Sequence, residues 1–156
     1  MDIRELRIGN IVCSNGKPMN TYKGAFYKIV SIDSQNRNNR GSVTLETNLL
    51  WEGDTVGSWA DFVGPIPLSE DLLFKLGFKK EEDDIIHVYE YNICANNCFI
   101  RIGKYSNTLG RDYNIHIDNQ NRDSISCTDI GFLHQLQNAV FDATGEELNV
   151  NELLKE

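Results

Sequence analysis

No stretch of the 156 residues approaches the roughly 18 consecutive apolar side chains of a membrane-spanning helix, and no basic-then-apolar start marks a secretory signal. A soluble, intracellular protein is therefore expected. The motifs GxSxG, HExxH and GxGxxG and the Walker pattern are all missing. Gly103 and Gly110 bracket a loop of suitable length, yet no GK[ST] follows to cradle a phosphate. These absences disfavour an enzyme, and no catalytic residue and no cofactor are expected. Cysteine is sparse, and Cys13, Cys94, Cys98 and Cys127 read as reduced thiols in a chain with no other mark of secretion.

Basic charge is lacking where it would matter. Residues 1–65 carry seven Lys and Arg against seven Asp and Glu, so the whole formal charge of −8 falls on residues 66–156. Nucleic acid is bound through clustered Lys and Arg, which makes it an unlikely partner of the C-terminal part. Arg37 and Arg40, in a polar loop over residues 34–41, are the only local basic feature and read as solvated.

What is present is periodicity. Leu133, Leu136, Val140 and Ala143, widened by Phe132 and Ala139, recur at helical spacing, with Gly145 suited to the left-handed residue that ends a helix. A helix is expected over residues 130–144, capped by Thr128 or Asp129. Upstream, residues 85–91, 98–102, 113–117 and 124–127 alternate apolar and polar side chains, the pattern of strands with one wet face. An antiparallel meander covered by the terminal helix is the natural packing. Ser69 caps a short helix with Glu70 and Asp71 in its first turn and Leu72, Leu73 and Leu76 on its inner side, and Gly77 stops it. The charged residues 79–84 read as a solvated link.

In the N-terminal part, residues 10–13, 25–33 and 42–46 read as strands, with one or two more in 49–51 and 56–63. Short strands at this spacing suggest a small, strongly bent, SH3-like β-barrel. Gly64-Pro65-Ile66-Pro67 interrupts the pattern, because proline donates nothing to a ladder. The fold class expected is α+β, with an SH3-like barrel over residues 1–65 and a meander with two helices over residues 66–156, as two units or on one shared core.

Three segments carry a resemblance: LRIGNIV at residues 6–12, IPLS through LGF at residues 66–78, and LHQLQN through TGEEL at residues 133–148. In order and spacing they resemble a family of small uncharacterised proteins of phages, prophages and mobile elements of anaerobic gut bacteria. The resemblance implies a context, that of a phage or mobile-element accessory protein, and brings no activity or site residues.

Several side chains invite chemistry. Cys94 and Cys98, with His87 and His116 on neighbouring strands, contain donors for zinc, but CxxxC is not the CxxC of a zinc knuckle, and no metal is expected. His134 stands among amides on the terminal helix and reads as a partly exposed helix residue. His116 and Asp118 share a strand face and suit a surface hydrogen bond.

The aromatics are the better lead. Tyr27, Trp51, Trp59 and Phe62 would be gathered on one side of a barrel, and such surfaces bind peptides. A protein partner is expected there, with Trp59-Ala60-Asp61-Phe62 as the first place to look. Alternatives are an inhibitor of host defence, acting as an acidic nucleic-acid decoy or as a nucleotide-sequestering pocket built on Arg101, Tyr105 and Arg111, and a structural virion component. Oligomeric state is not legible.

Overall fold

The computed structural model describes residues 1–17, 21–33, 41–47, 55–81, 86–93, 98–105, 113–119 and 125–154. The fold is mixed α+β, mostly antiparallel sheet, with two α-helices among the described residues. It divides into two compact units, Met1–Pro67 with Val150–Glu156, and Leu68–Asn149.

The first unit is a five-stranded antiparallel sheet of β1 (Ile11–Ser14), β2 (Phe26–Asp33), β3 (Ser42–Glu46), β4 (Thr55–Trp59) and β5 (Val63–Gly64), in the order β4-β3-β2-β1-β5. Alternation along the strands builds its core. Val12, Tyr27, Ile29, Val43, Leu45, Val56 and Val63 are buried together, with Leu6 from the N-terminal segment. Among the described residues the closed barrel expected from the sequence does not form: β5 is two residues long and pairs there only with β1, leaving β4 and β5 as the two edges. Residues 49–51, read as a strand from the sequence, lie outside the described residues, as does most of the polar loop at 34–41. Residues 56–63 split into β4, a 3-10 turn over Ala60–Phe62, and β5.

Residues 150–156 cluster with this first unit, whereas the sequence placed them with the second. A 3-10 turn over Asn151–Leu154 packs against β2, and Leu153 is 2% exposed. Leu153→Ala should therefore lower the stability of the first unit by about 2 kcal/mol or more, through lost burial and the cavity left behind. Both tryptophans, Trp51 and Trp59, fall within residues 1–67, so an earlier tryptophan-fluorescence transition in urea is the expected readout. An unchanged midpoint would remove this segment from the unit's core.

The second unit holds β6 (Lys79–Glu81), β7 (Ile86–Ile93), β8 (Cys98–Tyr105), β9 (Tyr113–Asn119) and β10 (Ile125–Ile130) in the order β10-β9-β8-β7-β6. On β8 and β9, Ile100, Ile102, Ile115 and Ile117 alternate inward and are buried, while Arg101 and Asp118 point to solvent. The link expected over residues 79–84 is in part a strand, since Lys79–Glu81 pairs with β7. Its three charged side chains show no period-2 apolar signal, which suits an edge and hides it from a reading by hydropathy.

Helix α1 (Glu70–Lys75) begins at Ser69, whose Oγ accepts from the Leu72 N–H at 3.2 Å, and ends at Gly77, with φ of 89°. Helix α2 (Leu133–Thr144) buries Leu133, Leu136 and Val140 completely and packs against β9 and β10. Gly145 ends it with φ of 75°, donating its N–H to the Phe141 carbonyl at 2.7 Å. The start differs from expectation. Thr128 and Asp129 belong to β10, which runs on to Ile130, and the cap residue is Phe132. Phe132 has no side-chain acceptor, so Gln135 reaches back instead, its Oε1 accepting from the N–H groups of Gly131 and Phe132.

Candidate functional site

The outward face of β3 and β4 carries a concavity of about 360 Å3. It arises from the pairing register. Ser42 lies opposite Trp59 and Thr44 opposite Gly57, while the intervening Val43, Leu45 and Val56 turn into the core. Gly57 leaves the centre of the face low: a Cβ built there meets nothing within 4 Å. Trp59 and Phe62 form the apolar wall and Ser42 and Thr44 supply hydroxyls, while Ser58, opposite Val43, is buried and donates its hydroxyl to the Trp59 carbonyl at 3.3 Å.

Two main-chain bonds hold that wall. The Ala60 N–H donates to the Gly41 carbonyl at 2.9 Å, and the Phe62 carbonyl accepts from the Asn15 N–H at 3.1 Å, which together anchor the 3-10 turn at both ends. The Lys17 ammonium stands 6.0 Å from the Phe62 ring centroid, within cation–π reach. Across the sheet, the Ser31 hydroxyl is 2.8 Å from that of Thr44. The site is thus a half-buried aromatic recess on an antiparallel scaffold. Its chemistry is that of contact, with apolar area and hydroxyls, and among the described residues no carboxylate or imidazole lines it.

Of the four aromatics expected at a partner surface, Trp59 and Phe62 meet here. Tyr27 is a correction: it is fully buried in the core, and its phenol oxygen accepts from the Tyr22 N–H at 2.9 Å. The strand alternation that makes Ile29 a core residue also turns Tyr27 inward, so it has no surface to offer. Trp51 lies outside the described residues. Ser42, Thr44 and Gly57 went unremarked in the sequence, although the polar positions of Ser42-Val43-Thr44 already carried the signal of an outward face.

The other candidates disperse. Arg101, on the outward face of β8, is ion-paired with Glu90, its cross-strand neighbour. Tyr105 lies four residues further along the same strand, and Arg111 is outside the described residues. The Arg101 guanidinium is thus already engaged by a carboxylate. Cys94 is likewise outside the described residues. The β7–β8 register sets His87 opposite Lys104 and Cys98 opposite Ile93, six residues apart along β8, or roughly 20 Å. His116 Nδ1 lies 2.8 Å from the Ser126 hydroxyl of the next strand, so its partner is Ser126 and not Asp118. His134, expected to be partly exposed, is 2% exposed and stacks with Phe132 at 6.0 Å.

Perturbed ionisation falls elsewhere than in the recess. Burial pushes the half-buried Cys13 thiol up, which keeps it protonated and a poor nucleophile. Tyr89 is pushed up to about 12, first by burial and then by the nearby Glu70 carboxylate, and Tyr113 rises for the same two causes. Tyr89 sits between Phe74 and Tyr113, edge to face at 6.0 and 6.5 Å. Because the folded state favours the neutral phenol, this contribution to stability is complete below about pH 10, the unfolded value, and is lost as pH climbs toward 12. Ultraviolet titration should show at least one tyrosine ionising late, together with a falling melting temperature over that window. A single titration of all tyrosines near their ordinary value would contradict the packing around Tyr89.

Among the described residues, no helix is long and apolar enough to cross a membrane. Compared with known proteins, the chain matches no family model, no curated protein and no solved structure.

Proposed function

We propose that this protein is a non-enzymatic interaction module of a phage or mobile element, and that it engages a protein partner through the outward face of β3 and β4. The observation that carries this reading is the recess of about 360 Å3 walled by Trp59 and Phe62. Aromatic side chains in a shaped, neutral depression are the usual anchors of protein recognition, since they bring large area at low conformational cost. The first unit is read as SH3-like on the strand order β5-β1-β2-β3-β4 and the 3-10 turn between the last two strands in sequence. The second unit is read as a meander covered by α2, with its acidic charge serving solubility.

The test is capture of a partner from host lysate by wild type and Trp59→Ala, at low and high salt. Loss of capture with Trp59→Ala and little salt dependence is the expected result, because none of the described lining residues is charged. Capture that survives the substitution and fails at high salt would assign the contact to the acidic residues instead.

A further inference from the structure

Asn15 is the only asparagine of the 156 residues that is followed by glycine. A glycine there leaves the next peptide nitrogen unshielded, because it carries no side chain. Asn15 is exposed in the turn that leaves β1, and Gly16 adopts a left-handed φ of 86°.

The turn arranges the atoms that a ring closure between these two residues would use. Asn15 Oδ1 accepts the Lys17 N–H at 3.0 Å, in an Asx turn that folds the carboxamide back along the Gly16 peptide. The Gly16 N–H donates to Ser14 Oγ at 3.0 Å. Ser14, 2% exposed, directs its own proton to Thr21 Oγ1 at 2.7 Å, which keeps a lone pair for Gly16. Asn15 Nδ2 makes no hydrogen bond among the described residues.

We propose that this turn is a self-modification site, at which Asn15 deamidates in the folded protein. The Gly16 nitrogen bonds to Asn15 Cγ and releases its proton toward Ser14 Oγ. Negative charge gathers on Oδ1, where the Lys17 N–H faces it. The Cγ–Nδ2 bond then breaks, and Nδ2 leaves as ammonia, taking up one proton for the one that Gly16 released. One water opens the resulting succinimide at either carbonyl, giving aspartate or, with the chain rerouted through the side chain, isoaspartate. Nothing is oxidised or reduced.

The product bears on the recess. The Asn15 N–H holds the Phe62 carbonyl at 3.1 Å, and the Lys17 ammonium stands 6.0 Å from the Phe62 ring centroid. Isoaspartate lengthens the main chain by one carbon between those two contacts and sets a carboxylate close to Lys17, so the wall loses support. Only the effect on a partner rests on the interaction reading above; the covalent change does not.

The full-length protein is to be aged in warm, mildly alkaline buffer, with intact mass and peptide mapping following the exchange of the side-chain NH2 for OH. Deamidation should map to Asn15 ahead of every other asparagine and cease in Asn15→Gln, whose longer side chain would have to close a larger ring. It should run at least about tenfold faster in the folded protein than in the same chain unfolded in urea, since a placed donor and acceptor contribute at least that much in enzyme sites. In the isoaspartyl product, separated by anion exchange, the amide of residue 15 should exchange with deuterium at least about tenfold faster by NMR, having lost its hold on Phe62. Deamidation spread evenly over the asparagines, or no faster folded than in urea, overturns the self-modification. Modification at Asn15 with unchanged amide exchange there overturns the link to the Phe62 turn. Capture of a partner equally by aged and fresh protein, while Trp59→Ala still abolishes it, keeps the interaction reading and removes the effect on the recess. Capture indifferent to both ageing and Trp59→Ala overturns the interaction reading, and with it the effect on a partner.

Discussion

Leu136→Ala is expected to lower the unfolding free energy of the second unit by about 2–5 kcal/mol, the range for a large aliphatic side chain removed from a packed core. Leu136 is 0% exposed and stands in the middle of the α2 stripe, between Leu133 and Val140, which are equally buried. The helix packs against β9 and β10, whose inward side chains are the branched and rigid Ile115, Ile117 and Ile130. A β-sheet face of this kind collapses poorly into a void, which puts the expected loss in the upper part of the range. Both α-helices belong to this unit, so helical circular dichroism in urea reads its unfolding directly. Asp142→Ala, at an exposed position of the same helix, should change it by less than about 0.5 kcal/mol. Equal effects of the two substitutions would mean that the stripe is not the packed face.

That stripe was legible in the sequence because a helix repeats its buried face every three to four residues, and Leu133, Leu136 and Val140 keep that interval. Strands were legible for the parallel reason. Ser42-Val43-Thr44-Leu45 and Phe99-Ile100-Arg101-Ile102 alternate faithfully, and β3 and β8 run through them. Where the apolar signal was absent, the reading failed. Lys79–Glu81 is held by main-chain bonds to β7 and buries no side chain, so hydropathy has nothing to report there. The start of α2 was misplaced because Thr128 and Asp129 are good caps by type, whereas β10 continues through them across a bulge and Gln135 does the capping.

Long-range placement was the least legible. Nothing in Val150–Leu154 reveals that it packs with strands more than a hundred residues upstream; three apolar residues at close spacing suit any nearby core. The same limit explains the candidate site. Period and type put Trp59 and Phe62 on a surface of interest, but the recess exists because the register sets Gly57 beside Thr44 and Trp59 beside Ser42, and register is a property of pairs of strands. Tyr27 shows the converse, an aromatic on the same sheet that the alternation sends inward.

The second large effect concerns binding. Trp59 is half-buried and forms the wall of the recess, in the position of an anchoring residue whose truncation costs about 2 kcal/mol or more. For a captured and purified partner, Trp59→Ala should therefore raise Kd by roughly thirtyfold or more, while the unfolding midpoint of the variant, with its outward side chain, stays near that of wild type. Phe62→Ala should lose less, because the main-chain bonds that fix its turn are kept.

The claim that the β3–β4 face makes the contact is tested most directly by placing a photo-crosslinking phenylalanine analogue at position 59 and, in a second sample, at position 126 on the outward face of the other sheet. Irradiation in host lysate should join the partner covalently from position 59 and leave position 126 unmodified. A partner cross-linked from position 126 and never from position 59 would contradict the account.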